Sequence, residues 1–128
     1  MKKLIWIGVA LLLSSFIYYN VCKEYNAYVK YIYDGDTITV DIDLGFGISK
    51  EDKIRLARID APEMRGTERP DGIISRDALR ELIDKKTIRF EDLGRGKYGR
   101  IIGEVYFGTI NISDWLVANS YAEYRNYD

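Results

Sequence analysis

The sequence predicts a mainly β domain, a five-stranded barrel with two helices, preceded by a hydrophobic N-terminal helix. Three observations support this fold class. A largely apolar run occupies residues 4–22, short segments of alternating apolar and polar residues fill most of the chain from Asn26 onward, and a longer stretch has the apolar spacing of a helix. Five strands with a helix inserted after the third are the elements of an OB-type Greek-key barrel.

The composition limits the chemistry that this chain can perform. With 128 residues, 47% of them hydrophobic, the chain is long enough for one compact domain. It contains no histidine, which excludes the commonest general base and the commonest zinc ligand. Its single cysteine, Cys22, forms no internal disulfide. A net charge of -1 is not typical of a nucleic-acid-binding protein, so any polyanion site must be local or assisted by a bound cation.

The N-terminal run has the length of a membrane span. A helix of about 19 residues rises roughly 28 Å, which is close to the hydrocarbon thickness of a bilayer. Lys2 and Lys3 precede the run and predict a cytoplasmic N-terminus. The run lacks a good pair of small residues for signal cleavage, which favours an uncleaved anchor over a cleaved signal. We therefore expect residues 1–25 to anchor or export an extracytoplasmic domain, residues 26–128, which is secreted if the segment is cleaved.

Strand patterns account for most of this domain. Asp34-Gly35 is a strong hairpin signal, and the segment after it alternates apolar and polar residues as a half-buried strand does. The predicted strands are residues 28–33, 36–44, 52–59, 87–92 and 98–107. Together they provide the five strands of the barrel.

Two helices are predicted from apolar spacing and from capping residues. Ser75 is the expected N-cap of a helix over residues 76–86, whose apolar residues form one stripe. Asn111 is the expected N-cap of a short last helix that ends at Asn119.

Two aspartates stand at predicted strand ends. Asp36 follows the hairpin turn, and Asp60 ends the third strand. Carboxylates on rigid strand ends suit a hard cation such as Ca²⁺ or Mg²⁺, because these ions prefer oxygen ligands. Each aspartate taken alone is more typical of a turn or of a solvated surface.

Three short motifs give the pattern more specificity. DGDT at 34–37, RLARIDAPE at 55–63 and KYGR at 97–100, in this order, resemble the staphylococcal-nuclease-like (thermonuclease) family over about residues 27–124. The resemblance implies an OB-fold nuclease that uses Ca²⁺ to hydrolyse phosphodiester bonds in DNA and RNA, leaving 3′-phosphates. It also leads us to expect a monomer that prefers single-stranded substrate.

The resemblance implies a role for each matching residue around the metal. Asp36 and Asp60 are similar to the carboxylate ligands of the calcium, and the main-chain carbonyl of Ala61 is similar to a further ligand. Glu63 matches the glutamate that orients or deprotonates the attacking water. Pro62 fixes its own φ and restricts Ala61, which would hold Glu63 at a defined angle.

The remaining matches concern the phosphates. Arg55 and Arg100 are similar to the two arginines that bind the scissile phosphate, and Lys97 with Tyr98 matches residues that contact a neighbouring phosphate. Tyr124 lies near the place where family members put tyrosines against the nucleotide base. These residue types suit the reaction, because phosphodiester hydrolysis builds negative charge that guanidinium groups stabilise in the transition state. Arginine can also donate to two phosphate oxygens at once.

Other interpretations of the same residues remain open. Arg55 can pair with Asp36 or Asp60 as a purely structural ion pair, and Arg100 can be a surface residue. A catalytically silent OB module that binds an oligonucleotide or a protein at the membrane surface is one alternative function. A membrane-tethered, calcium-binding structural domain is another. The intact set of carboxylates and arginines favours the enzyme.

Overall fold

The structure is a computed structural model that describes residues 23–126. The predicted N-terminal helix and its anchor role, residues 4–22, lie outside these described residues. Within them, no helix is long and apolar enough to cross a membrane.

The described chain forms eight strands and two α-helices. The strands are β1 Glu24–Asp34, β2 Thr37–Asp43, β3 Ser49–Leu56, β4 Ile59–Asp60, β5 Thr87–Arg95, β6 Ile101–Phe107, β7 Ile110–Asn111 and β8 Glu123–Tyr124. The helices are α1 Arg69–Ile83, directly after a 3₁₀ turn at Gly66–Glu68, and α2 Ile112–Ala118.

Five strands close into a barrel, as the sequence predicts. Antiparallel pairing gives the order β3-β2-β1-β5-β6, and a parallel pairing of β3 with β6 joins the two ends. Leu56 N–H donates to the Asp36 carbonyl at 2.8 Å, and Ala57 N–H donates to the Gly103 carbonyl at 2.9 Å. These bonds fix the end of β3 against the start of β2 and the middle of β6, which is where the candidate site lies.

The core fills the barrel and the space beneath the helices. Val29, Ile38, Val40, Ile54 and Val105 are fully buried, in accord with the alternating pattern of their strands. Burial of such side chains contributes about 1.5 to 3 kcal/mol each, so the interior of the barrel is the main source of stability.

Helix α1 begins earlier than the sequence predicts. It starts at Arg69 instead of residue 76, because Pro70 suits the first turn of a helix and Asp71 adds a favourable negative charge there. The prediction that Ser75 is an N-cap is therefore wrong. Ser75 lies within the helix, is buried, and donates its hydroxyl hydrogen to the carbonyl of Tyr121 at 2.6 Å.

Helix α2 has the predicted N-cap. The side-chain oxygen of Asn111 accepts a hydrogen bond from Asp114 N–H at 3.1 Å, and Asn119 is the C-cap. The third strand, in contrast, has the predicted length but lies three residues before the predicted range 52–59, so the expectation that Asp60 ends it is wrong. It ends at Leu56, and Arg58 adopts a left-handed backbone conformation with φ 65° that separates β3 from the short β4.

Candidate active site

Arg55 lies at the centre of the predicted site. It is 8% exposed, at the end of β3. Its Nη2 lies 3.3 Å from Oδ2 of Asp36 and 3.5 Å from Oδ1 of Asp60. The same guanidinium donates to the carbonyls of Leu56 at 3.0 Å and Ile59 at 2.9 Å. The two predicted metal-binding carboxylates therefore flank one nitrogen atom, although they are separated by 24 positions in the sequence.

Asp36 is the more buried of the two carboxylates, with an exposure of 7%. Its Oδ2 accepts a hydrogen bond from Ala61 N–H at 2.9 Å. Burial, together with the nearby negative charge of Asp34, raises the pKa of Asp36 to about 7 against the lowering effect of Arg55. The chain by itself therefore leaves the negative charge of Asp36 only partly compensated.

Arg100 joins this cluster through a hydroxyl group. Its Nη1 donates to Oγ1 of Thr37 at 3.0 Å, and that hydroxyl donates in turn to Oδ1 of Asp36 at 3.3 Å. Thr37 is part of the DGDT motif, but nothing in the motif by itself indicates a role for its hydroxyl. By accepting from Arg100, the Thr37 side chain connects the turn after β5 to the start of β2.

Two glycines determine how closely the loop after β4 approaches its neighbours. A Cβ atom on Gly35 would lie 2.8 Å from Cβ of Ala61 and 2.9 Å from Cβ of Ser75. A Cβ atom on Gly72 would overlap the carbonyl group of Glu63. Because real Cβ atoms do not approach other atoms so closely, both positions require glycine.

Glu63 is the predicted catalytic residue that the structure does not bring into the cluster. Its main-chain N–H donates to Oε2 of Glu68 at 2.9 Å, which fixes the backbone of the loop. Its side chain is exposed, and it makes no hydrogen bond or ion pair within residues 23–126. The carboxylate is therefore accessible to water.

A groove of about 640 Å³ opens beside Arg55. Its lining includes five cationic side chains and no acidic one: Arg55, Arg58, Lys97, Arg100 and Arg125. Arg55, Arg58 and Arg125 are ion-paired with carboxylates, so Lys97 and Arg100 contribute most of the positive charge that a polyanion would meet in this groove.

Tyr98 lines this groove and has two cations close to its ring. Lys97 Nζ lies 5.4 Å and the Arg100 guanidinium 5.8 Å from the centre of its ring. The turn that carries them is closed by a bond from Gly96 N–H to the Arg100 carbonyl at 2.9 Å, and Tyr98 is 76% exposed. An exposed ring next to cations is suited to contact with a nucleotide.

Tyr124 lies elsewhere. Its hydroxyl donates to Oδ1 of Asp114 at 2.8 Å, and its ring lies 5.7 Å from the Arg58 guanidinium. Arg58 in turn pairs with Asp114 at 2.9 Å and with Glu104 at 2.8 Å. The hydrogen bonds from Arg58 and Tyr124 lower the pKa of Asp114, and the bond to Asp114 raises the pKa of Tyr124. The structure thus places Tyr124 in a surface network outside the Arg55 cluster.

Arg125 is a residue of the site that the sequence did not reveal. Its Nη1 lies 2.8 Å from Oδ2 of Asp60, the oxygen opposite the one that faces Arg55. The contact depends on the pairing of β4 with β8, in which Asp60 lies opposite Glu123. No motif in the sequence indicates it, because the two residues are 65 positions apart.

The donor atoms fit a hard cation held partly by the protein. Within residues 23–126, no group of three or more acidic or cysteine side chains could hold a metal ion alone. Asp36, Asp60 and the carbonyl of Ala61 offer only oxygen, and cations of this class often complete their shell with water and substrate phosphate.

Comparison with known proteins gives the family. A family profile described as "Staphylococcal nuclease homologue" matches residues 53–128, more than half of the chain. The chain belongs to the staphylococcal nuclease family. This membership supports a nuclease, that is, a hydrolase that acts on nucleic acid.

Three relatives agree with the family assignment. The chain is 33% identical over 110 residues to a protein of Escherichia coli named an uncharacterized endonuclease, covering 85% of this chain and 67% of that protein. It is 35% identical over 109 residues to an endonuclease of Haemophilus influenzae with the same description, covering 84% and 54%. It is 30% identical over 82 residues to a probable staphylococcal-like nuclease of Oryza sativa subsp. japonica, covering 63% and 21%. This member of the nuclease family thus spans about half of the Haemophilus protein and about a fifth of the rice protein.

Proposed function

We propose that this chain is a calcium-dependent phosphodiesterase that cleaves DNA and RNA and leaves 3′-phosphate products. One observation carries the proposal. Asp36 and Asp60 flank the guanidinium of Arg55, and Arg100 joins them through Thr37, at the edge of a groove lined by cations. An extended polyanion could bind along the groove with one phosphate at this cluster, and an unstacked single strand would fit more readily than a duplex.

Different side chains have different roles in the hydrolysis reaction. A water oxygen attacks the phosphorus atom and gives a proton to the carboxylate of Glu63. The bond from phosphorus to the 5′ oxygen breaks, and that oxygen takes a proton from solvent. Arg55 and Arg100 donate to the non-bridging oxygens, where negative charge increases in the transition state. A Ca²⁺ ion held by Asp36, Asp60 and the Ala61 carbonyl would supply further positive charge and acidify the water.

The exposure of Glu63 is compatible with this role. A general base must be within hydrogen-bond reach of the water in the substrate complex, and catalytic contacts are often longer without substrate. The backbone of Glu63 is fixed by Glu68 and by its close packing on Gly72, so only its side chain has to move.

The test is a cleavage assay on single-stranded DNA with calcium and with chelator. We expect cleavage when calcium is present and no cleavage when chelator is present. Glu63→Gln should lower the cleavage rate about 10²- to 10⁴-fold, and Arg100→Ala should lower it about 10²- to 10³-fold. The matched controls are Glu81→Gln on α1 and Arg89→Ala on β5, both exposed and away from the groove, which should keep the wild-type rate.

The same assay distinguishes the alternatives. The silent OB module would be favoured if the protein bound the oligonucleotide but did not cleave it with any of the divalent ions tested. The structural domain would be favoured if calcium raised the melting temperature and a 3′,5′-bisphosphate left it unchanged. Full activity of both site variants would refute the roles assigned here.

A further inference from the structure

The hairpin tip between β2 and β3, residues 44–48, exposes its apolar side chains. Leu44 is 49% exposed, Ile48 is 59% exposed, and Phe46 at the apex is completely exposed at 103%. Single exposed apolar residues are ordinary, but three at one tip, with only glycines between them, form a contiguous apolar surface.

The tip is an ordered structure that holds Phe46 outward. Leu44 N–H donates to the Ile48 carbonyl, and Ile48 N–H donates to the Gly45 carbonyl, both at 2.9 Å. Gly45 N–H donates to Oδ1 of Asp43 at 2.8 Å. Gly45, Phe46 and Gly47 have φ values of 82°, 56° and 73°, and a left-handed backbone is unfavourable for phenylalanine. The hairpin maintains this conformation without burying the ring.

The register of β1 and β2 places the tip beside the beginning of the described chain. Ala27 pairs with Ile42, so residues before 27 on β1 and residues after 42 on β2 extend in the same direction. Asn26 and Tyr28 line one cavity of about 270 Å³ together with Gly47 and Ile48. The tip therefore lies near the first residues of β1, which directly follow the apolar run 4–22.

The candidate active site lies at the other end of these strands. Thr37 begins β2 opposite Arg55, whereas Asp43 ends β2 opposite Ser49 at the tip. The seven residues of β2 span about 20 Å at the usual rise of a strand.

We propose that the 44–48 tip inserts into the surface of the lipid bilayer in which the apolar run 4–22 is anchored. The length of the run and its end one residue before Lys23 bring the bilayer surface to the first residues of β1. The tip lies near that point, and it contains an aromatic residue of the kind found on membrane-surface segments. Two attachments then fix the orientation of the barrel relative to the membrane.

The proposal rests on the expected anchor and not on the nuclease function, so depth-dependent quenching tests it separately. The full chain with Cys22→Ser receives a single labelling site, Phe46→Cys, carrying an environment-sensitive fluorophore. The matched control is Ile74→Cys, because Ile74 is 55% exposed and lies on α1 near the opposite end. Both proteins are reconstituted in phosphatidylcholine vesicles containing nitroxide-labelled lipid.

We expect several-fold stronger quenching at position 46 than at position 74. Because residues 44–48 carry no charge, the difference in quenching between the two positions should persist at high salt. A second variant tests the role of the ring itself: a fluorophore at Ile48→Cys should lose much of its quenching when Phe46→Ser is added.

Three results would overturn the proposal. Equal, weak quenching at both positions would show that the tip stays in water. A chain that does not co-float with the vesicles would remove the anchor on which the proposal depends. Emission that shifts to the blue without lipid quenching would mean that another protein surface covers the tip.

Discussion

Removal of the negative charge from Asp36 should stabilise the metal-free protein at neutral and alkaline pH. Asp36→Asn keeps the shape of the side chain and the oxygen that accepts from Ala61 N–H. It removes a negative charge that burial and the nearby Asp34 destabilise more than Arg55 stabilises it. Arg55 retains Asp60 and two carbonyl acceptors, so it does not become an isolated buried charge.

The size of the effect follows from the pKa of Asp36. This pKa rises from 3.8 to about 7 on folding, and at about 1.4 kcal/mol for each pKa unit the difference corresponds to about 4 kcal/mol. Loss of the attraction to Arg55 reduces this gain, so we expect Asp36→Asn to be about 1 to 3 kcal/mol more stable than wild type at about pH 8.

The sign of the pH dependence is fixed by the direction of the shift. Because the folded-state pKa is above the unfolded-state value, the contribution of protonated Asp36 is complete below about pH 4 and is lost as the pH rises through about 7. The advantage of Asp36→Asn should therefore be small at about pH 4 and grow towards about pH 8.

Urea unfolding of the full chain in chelator, across this pH range, measures the effect. The matched control is Asp77→Asn, whose carboxylate is 56% exposed on α1, and its stability should change by less than about 0.5 kcal/mol. An Asp36→Asn protein less stable than wild type at alkaline pH would show that the ion pair with Arg55 dominates, and would refute this account of the site.

Three further variants test other contacts. Ser113→Ala removes the donor to a buried carbonyl in the turn after β3, a bond of 2.8 Å, and should lower the free energy of unfolding by about 1 to 3 kcal/mol in urea. Gly72→Ala should lower stability by about 1 to 3 kcal/mol in the same assay, because the new methyl group overlaps the carbonyl of Glu63. Arg125→Ala should change stability by less than about 1 kcal/mol, since its exposed pairing with Asp60 contributes little. It should also reduce the salt dependence of oligonucleotide binding by about one unit of slope, measured by fluorescence anisotropy.

Each expectation has a clear contrary result. A Gly72→Ala protein more stable than wild type would mean that the helix propensity of alanine exceeds the cost of the overlap. Wild-type stability of Ser113→Ala would mean that the carbonyl finds another donor. An unchanged salt slope for Arg125→Ala would place this arginine outside the path of the nucleic acid.

Features that depend on neighbouring residues could be predicted from the sequence. The Asp34-Gly35 turn, the alternation in β2 and the Asn111 cap each involve atoms a few positions apart, and the structure confirms them. The start of α1 was harder, because the sequence over 64–75 contains Pro and Gly, which usually mark loops. Here Pro70 occupies the first turn, and Gly72 allows close packing on the backbone of Glu63.

The sequence by itself determined which residues could form the site: Arg55 and Asp60 in one motif, Asp36 after a hairpin turn, and Arg100 in a second turn. Only the tertiary structure decided that Asp36 and Asp60 flank Arg55, that Asp60 also meets Arg125, and that the side chain of Glu63 stays outside the cluster. The physical reason is closure of the barrel. The parallel pairing of β3 with β6 and the pairing of β4 with β8 bring together residues tens of positions apart, and such contacts leave no periodic signal in the sequence.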